Sequence, residues 1–473
     1  LICLSCFVQA KTITISRLTC EMQEGLVVVE GSPRLGWVME SPENGTRQSA
    51  YEIDIREAFT GRSVWNSGKV YSSQSQLVST KGADIRPDNS FNYSWRVRVW
   101  DETDTPSEWS NEAKFRAVPE RLSSGQWIGA ITRQNAHLPE GRKFHGGELK
   151  KPEVKAAWEA VDTLAKKSIC LRRTFQVGDA KEGGANRKPG KKIVEATAYV
   201  CGLGFYEFSL NGKKMGNSEF APLWSDYDKT VYYNTYDVTE QLRRGENVVG
   251  ILLGNGFYNV QGGRYRKLQI SFGPPTLLFE LVINYEDGTC TTVHSDNNWK
   301  YDFSPVTFNC IYGGEDYDAR REQKGWNQIG FDDSHWRPVV MQEAPKGILR
   351  PQMAAPVKIM ERYDIQKVTK LNADQVASAS VSTKRTVDPS AFVLDMGQNL
   401  AGFPEIKVRG KRGQKVTLIV AEALTEEGAC NQRQTGRQHY YEYTLKGEGD
   451  ETWHPRFSYY GFRYIQVEGA VLK

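Results

Sequence analysis

The sequence predicts an all-β chain built from tandem β-sandwiches, with one short helical insertion. Three observations predict it. Runs of period-two alternation recur along the 473 residues, each bounded by turn residues. Aromatic residues make up 11% of the chain, including 12 Trp and 22 Tyr, a composition that fills strand faces. The clearest apolar run at helical spacing follows Pro152. A chain of this length exceeds what one core supports and divides into about three domains.

The opening L-I-C-L-S-C-F-V-Q-A, residues 1–10, is apolar and ends in the small residue Ala10. It reads as the tail of a signal peptide with V-Q-A as the cleavage site, which predicts a secreted or periplasmic protein. No apolar run reaches the roughly 18 residues of a spanning helix, so no membrane span is expected. The net charge is +4, and no basic tract is interleaved with aromatics, which argues against a nucleic-acid partner. Of the eight cysteines, Cys3 and Cys6 fall in the opening segment; the other six form no CxxC pair and have no companion histidine at ligand spacing, so a zinc site is not expected. Those after the opening segment read mostly as buried free thiols.

Residues 13–118 form the first predicted sandwich. Q-S-A-Y-E-I-D-I-R, Y-S-W-R-V-R-V-W-D and A-K-F-R-A-V alternate with period two, separated by S-P-E-N-G-T and R-P-D-N-S. Trp37 is placed to fill the core and Tyr93 to act as a tyrosine-corner residue. Short strands at this spacing predict a fibronectin type III-like module serving as a spacer. The second domain, 119–344, is interrupted by an insertion at 133–190. There P-E-V-K-A-A-W-E-A-V-D-T-L-A-K-K predicts a helix with Pro152 in its first turn. Val154, Ala157, Trp158, Val161, Leu164 and Ala165 lie on one face, and E-G-G-A-N-R-K-P-G-K-K reads as a loop. Strands resume at Ile193 with an N-G hairpin at Asn211 and Gly212. D-V-T-E-Q-L from Asp237 reads as a helical turn with the Thr239 hydroxyl available as its cap. The third domain, 345–473, carries E-I-K-V-R and K-V-T-L-I-V, the alternation of a further β-sandwich.

Two segments of this last domain identify a family. D-M-G-Q-N-L-A-G-F runs from Asp395 to Phe403, and W-H-P-R-F-S-Y-Y-G-F-R-Y from Trp453 to Tyr464. Together they resemble the bacterial α-L-rhamnosidases of glycoside hydrolase family 78. W-N-S-G-K-V from Trp65, W-D-E from Trp100, S-E-W-S from Ser107, P-L-W-S-D-Y-D-K, I-Y-G-G-E-D-Y-D-A-R and G-W-N at Gly325 follow the same pattern. The resemblance implies a galactose-binding-like jelly roll for the second domain. It also implies hydrolysis of terminal α-L-rhamnose from glycans by an inverting enzyme. That mechanism needs two carboxylates roughly 6.5–9.5 Å apart, and the family holds them in an (α/α)6 barrel after the third domain. No segment like that barrel's P-T-D-C-P-Q-R-D-E-R marker occurs here. The chain therefore reads as the β-region of a rhamnosidase without its catalytic barrel, carrying no catalytic residue and inactive alone. A stand-alone carbohydrate-binding protein and a structural adhesion protein are the alternatives.

Glu315, Asp316 and Asp318 form the nearest acidic cluster, read as a hydrogen-bonded turn with Arg320 pairing locally. No nucleophile elbow, histidine constellation, P-loop or dinucleotide fingerprint is present. Sugar binding remains, through rings stacked on apolar sugar faces and polar groups on hydroxyls. The candidates are Trp224, Asp226, Tyr227, Asn255 and Tyr258. Some family members bind rhamnose through calcium in the jelly roll, and calcium takes oxygen ligands; the candidates for it are Asp226, Asp228, Asn255 and Asn259. The expected partner is a rhamnose-containing glycan.

Overall fold

The structure, a computed structural model, describes residues 13–58, 60–86, 92–117, 125–139, 143–178, 191–264, 268–378, 391–433, 435 and 438–470. The opening segment 1–10 and most of the predicted loop after Lys181 lie outside the described residues. Strands are the predominant regular structure among the described residues. Among the described residues the α-helices are Pro152–Glu159 and Ala373–Ser378. The chain forms two compact units.

The first unit holds the N-terminal sandwich. A six-stranded sheet, centred on Asn92–Trp100 and Ala50–Glu57, faces a three-stranded sheet that includes Thr14–Cys20 and Arg34–Glu40. Alternation sends Tyr51, Ile53, Ile55, Tyr93, Trp95, Val97 and Val99 to the core, where Trp37 is also fully buried. Trp37 Nε1 donates to Gln48 Oε1 at 2.9 Å, which satisfies the one polar atom of the ring. The Tyr93 hydroxyl accepts from the Arg86 backbone N–H at 2.9 Å, the bond of a tyrosine corner. S-E-W-S acquires a physical role. The Ser107 and Ser110 hydroxyls accept from the backbone N–H groups of Val99 and Val97. Trp109 lies under the guanidinium groups of Arg96 and Arg98, at 4.5 and 4.8 Å from its ring centre.

The second unit holds the jelly roll and the C-terminal sandwich. One jelly-roll sheet is centred on Thr276–Tyr285, paired antiparallel with Ile193–Leu203 and Cys290–His294. The other runs Tyr206–Leu210, Gly245–Leu253, Ile169–Val177, Lys300–Phe303. Asn211 and Gly212 both have positive φ, at 53° and 85°, and close the two-residue hairpin that the N-G pair predicts. The insertion helix is shorter than its apolar pattern. It starts with Pro152 in its first turn and stops at Glu159. Asp162 then caps a 3-10 turn by accepting from the Leu164 N–H at 2.7 Å. Trp158, Val161 and Ala165 still share one small core with Ile131 and Ala136. Thr239 does not cap its own turn: its hydroxyl accepts from the Ala196 N–H, in the neighbouring long strand.

The C-terminal sheet has seven strands, in the order Val306–Cys310, Gly314–Asp318, Tyr440–Thr444, Lys415–Ala421, Tyr460–Glu468, Phe392–Gly402, Lys367–Lys370. The first two lie in the range that the sequence assigns to the jelly roll. Backbone pairing puts them here instead, with Gly314–Asp318 running parallel to Tyr440–Thr444. Two further pairs of short strands, Ile406–Val408 with Glu451–Trp453 and Ala423–Leu424 with Cys430–Asn431, form small separate sheets.

Candidate functional site

The two candidate loops meet through their rings. Trp224 is 66% exposed and lies tilted against Phe257, with centres 5.8 Å apart. Tyr227 turns inward and packs edge-on to Tyr258 and Phe272, each 5.1 Å away, and its burial pushes the phenol up. The Tyr258 hydroxyl donates to the Phe272 carbonyl at 3.2 Å. Asp226 is exposed; it pairs with Lys229 at 3.1 Å and accepts from the Asp228 N–H at 3.3 Å. The Lys229 ammonium holds its carboxyl below the usual range. Of the five sugar candidates, Trp224 and Asp226 thus face solvent, while Tyr227, Tyr258 and Asn255 are buried.

The oxygens proposed for calcium fall into two separate sets. Asp226 and Asp228 are at the surface. Asn255 and Asn259 are fully buried, and their amides tie loops together. Asn255 Nδ2 donates to the Lys166 and Asn309 carbonyls at 3.0 and 3.1 Å, and its Oδ1 accepts from Asn259 Nδ2 at 2.9 Å. Asn259 Oδ1 accepts from the Ser271 hydroxyl at 2.8 Å. An amide oxygen already committed to a buried donor is a poor ligand for a hard cation, because binding would leave that donor unpaired. These four residues therefore do not fit a calcium ion. Among the described residues no three His, Cys, Asp or Glu side chains are grouped to hold a metal.

The acidic cluster is a junction inside the second unit. Glu315 is fully buried on its strand, not in a turn. Its two oxygens accept from the backbone N–H of Arg456 at 3.0 and 3.1 Å, and one also accepts from that of Phe457 at 2.8 Å. Burial pushes its carboxyl up to about 8 despite these bonds and the Arg456 charge. Arg456 reaches Glu207 at 3.4 Å and His454 Nε2 at 3.1 Å. Burial alone would raise Glu207, but Arg456, Lys214 and His454 leave its carboxyl below the ordinary range. Arg264 pairs with Asp316 at 2.5 Å and lies over the rings of Tyr440 and Phe308. Asp318, next along, does cap the following turn and holds Arg320 through two bonds of 2.8 Å. A glycosidase acid or base must reach a glycosidic oxygen or a water. Glu315 has both oxygens turned to backbone N–H groups in the interior, so it joins two β-domains. Sequence reasoning did not assemble Glu207, Glu315 and Arg456, which lie far apart in the chain.

Family models match in sequence order. Residues 15–118 match the Rha78A-like N-terminal immunoglobulin domain, and 191–361 the alpha-L-rhamnosidase N-terminal domain. Residues 385–473 match the bacterial alpha-L-rhamnosidase concanavalin-like domain. These are domains of the bacterial α-L-rhamnosidase family. An alpha-L-rhamnosidase of Formosa agariphila is 32% identical over all of this chain and 48% of its own length. One of Streptomyces avermitilis is 30% identical, over 95% of this chain and 55% of its own. The chain spans about half the length of the curated relatives it matches. Among solved structures, the alpha-L-rhamnosidase from Dictyoglumus thermophilum covers 98% of this chain and 48% of its own. It is 29% identical, with a TM-score of 0.66. That of Streptomyces avermitilis complexed with L-rhamnose is 25% identical with a TM-score of 0.69, over 98% and 56%.

Proposed function

We propose that this chain is the non-catalytic β-region of an exported α-L-rhamnosidase that removes terminal α-L-rhamnose from glycans. One observation carries the reading: the whole chain aligns with α-L-rhamnosidases while spanning about half of each. Sealing of Glu315 in the interior supports it, because a fully buried carboxyl whose oxygens are held by backbone N–H groups has no room for a substrate. In this reading catalysis by an inverting pair belongs to a barrel outside these domains. The exposed ring of Trp224 and the carboxylate of Asp226 contact a sugar at the jelly-roll surface, without calcium.

Titration calorimetry with L-rhamnose tests the sugar contact. Weak heat at millimolar sugar is expected. It should disappear in Trp224→Ala, weaken in Asp226→Ala and persist with a chelator. No heat at all would leave the jelly roll as scaffold, and heat that needs calcium would restore a metal site.

A further inference from the structure

The segment D-M-G-Q-N-L-A-G-F builds more than a packed strand. Pairing with the neighbouring strand passes from Asp395 opposite Tyr464 to Leu400 opposite Phe462. Four residues, Met396 to Asn399, therefore face the single residue Arg463, which makes a wide bulge. The bulge is held at its base. Arg463 donates to both oxygens of Asp395 at 2.8 and 3.0 Å, and Asp395 Oδ1 accepts from the Gly397 N–H at 2.8 Å. Gly397 has a φ of +83°, and a Cβ there would meet Gln366 Cγ at 2.9 Å, so glycine is required. Gln398 and Asn399 are both exposed on this bulge.

They line a groove of about 800 Å³, within the range of ordinary ligand sites. Leu394, Met396 and Ile465 of the large sheet form its floor, and the extended segment 357–365 forms its far wall. Half-buried rings of Phe403 and Tyr459 close one end, and Tyr363 stands on the far wall. Several charged groups along the groove have partners: Arg362 with Glu405 at 2.9 Å, Glu361 with the Tyr363 hydroxyl at 2.5 Å, Glu219 with Lys214 at 2.8 Å, while Lys358 and Asp364 also line it. An apolar floor, aromatic walls and two side-chain amides match a ligand that carries both hydroxyls and apolar faces.

We propose that this groove binds an oligosaccharide of 6-deoxyhexoses. Gln398 and Asn399 hydrogen-bond its hydroxyls, Tyr363, Phe403 and Tyr459 meet its ring faces, and its methyl groups rest on the floor. The choice of sugar rests on the α-L-rhamnosidase reading; the groove itself does not. The site is separate from the Trp224 loop.

Calorimetry on the purified chain with a tetrasaccharide of α-linked L-rhamnose tests it, with maltotetraose, which carries hydroxymethyl groups, as control. The double variant Gln398→Ala/Asn399→Ala alters two exposed side chains, so folding is spared. Loss of two hydrogen bonds should weaken binding about tenfold, while Trp224→Ala leaves this component intact and maltotetraose binds more weakly. Binding lost in Trp224→Ala but untouched by the double variant overturns the groove and leaves the loop reading standing. Absence of binding to either sugar also overturns it. Self-association in ultracentrifugation that Met360→Ser abolishes, without sugar heat, assigns the groove to a second copy and overturns it too.

Discussion

Gly254 and Phe457 form a contact that can be broken from either side. Gly254 belongs to the L-G-N-G loop of the jelly roll, and Phe457 to the W-H-P-R-F segment of the C-terminal sandwich. The Phe457 ring is 1% exposed. A Cβ on Gly254 would fall 2.4, 2.7 and 2.8 Å from three atoms of that ring, well inside contact distance. Phe457→Ala leaves a cavity and should cost about 3–5 kcal/mol. Gly254→Ala forces the ring to shift in a filled core, costing about 1–3 kcal/mol. The double variant distinguishes this steric account from a backbone one. With the ring gone the new methyl enters the cavity, so the second substitution should add nothing and recover up to about 1 kcal/mol. The coupling is then on the order of 2 kcal/mol, far above the few tenths expected for independent sites. Urea unfolding followed by tryptophan fluorescence measures all four proteins. Simple additivity, or a neutral Gly254→Ala, would show that the ring and the glycine are not in steric contact.

Three further outcomes follow from the same contacts. The Glu315 carboxyl is raised in the folded protein from 4.5 to about 8, so its contribution to stability is whole below about pH 4.5 and lost as the pH climbs through about 8. Wild type should lose melting temperature over that window relative to Glu315→Gln, which cannot titrate; parallel curves would show that Glu315 stays ionised throughout. Asn255→Ala removes an amide that bridges two carbonyls and should cost about 1–3 kcal/mol, with the same loss in calcium and in chelator; a calcium-dependent loss would contradict the structural role. Phe462→Ala, at 2% exposure in the C-terminal core, should cost about 3–5 kcal/mol, and an unchanged melting temperature would show the ring to be dispensable for packing.

Local physics made much of this architecture legible. Strand alternation placed Trp37 and the Tyr93 strand, and the N-G pair required the positive φ values at Asn211 and Gly212. Three things were not legible, each because the deciding partner lies far away in the chain. Gly314 pairs in parallel with Tyr440, and nothing in either strand's own pattern specifies that register. Asn255 and Asn259 sit in a segment rich in glycine and aromatics where an amide reads equally as ligand or as loop tie; burial against Lys166, Ala165 and Asn309 decided it. Gly254 carries no local mark of its role: its lack of a side chain makes room for Phe457.

These domains are expected to support and recognise a glycan without cleaving it. Incubating the purified chain with an aryl α-L-rhamnoside and following aglycone release tests this most directly. The predicted rate equals that of a buffer blank. Turnover well above the blank, abolished by Glu315→Gln, would contradict it and place catalysis inside the β-region itself.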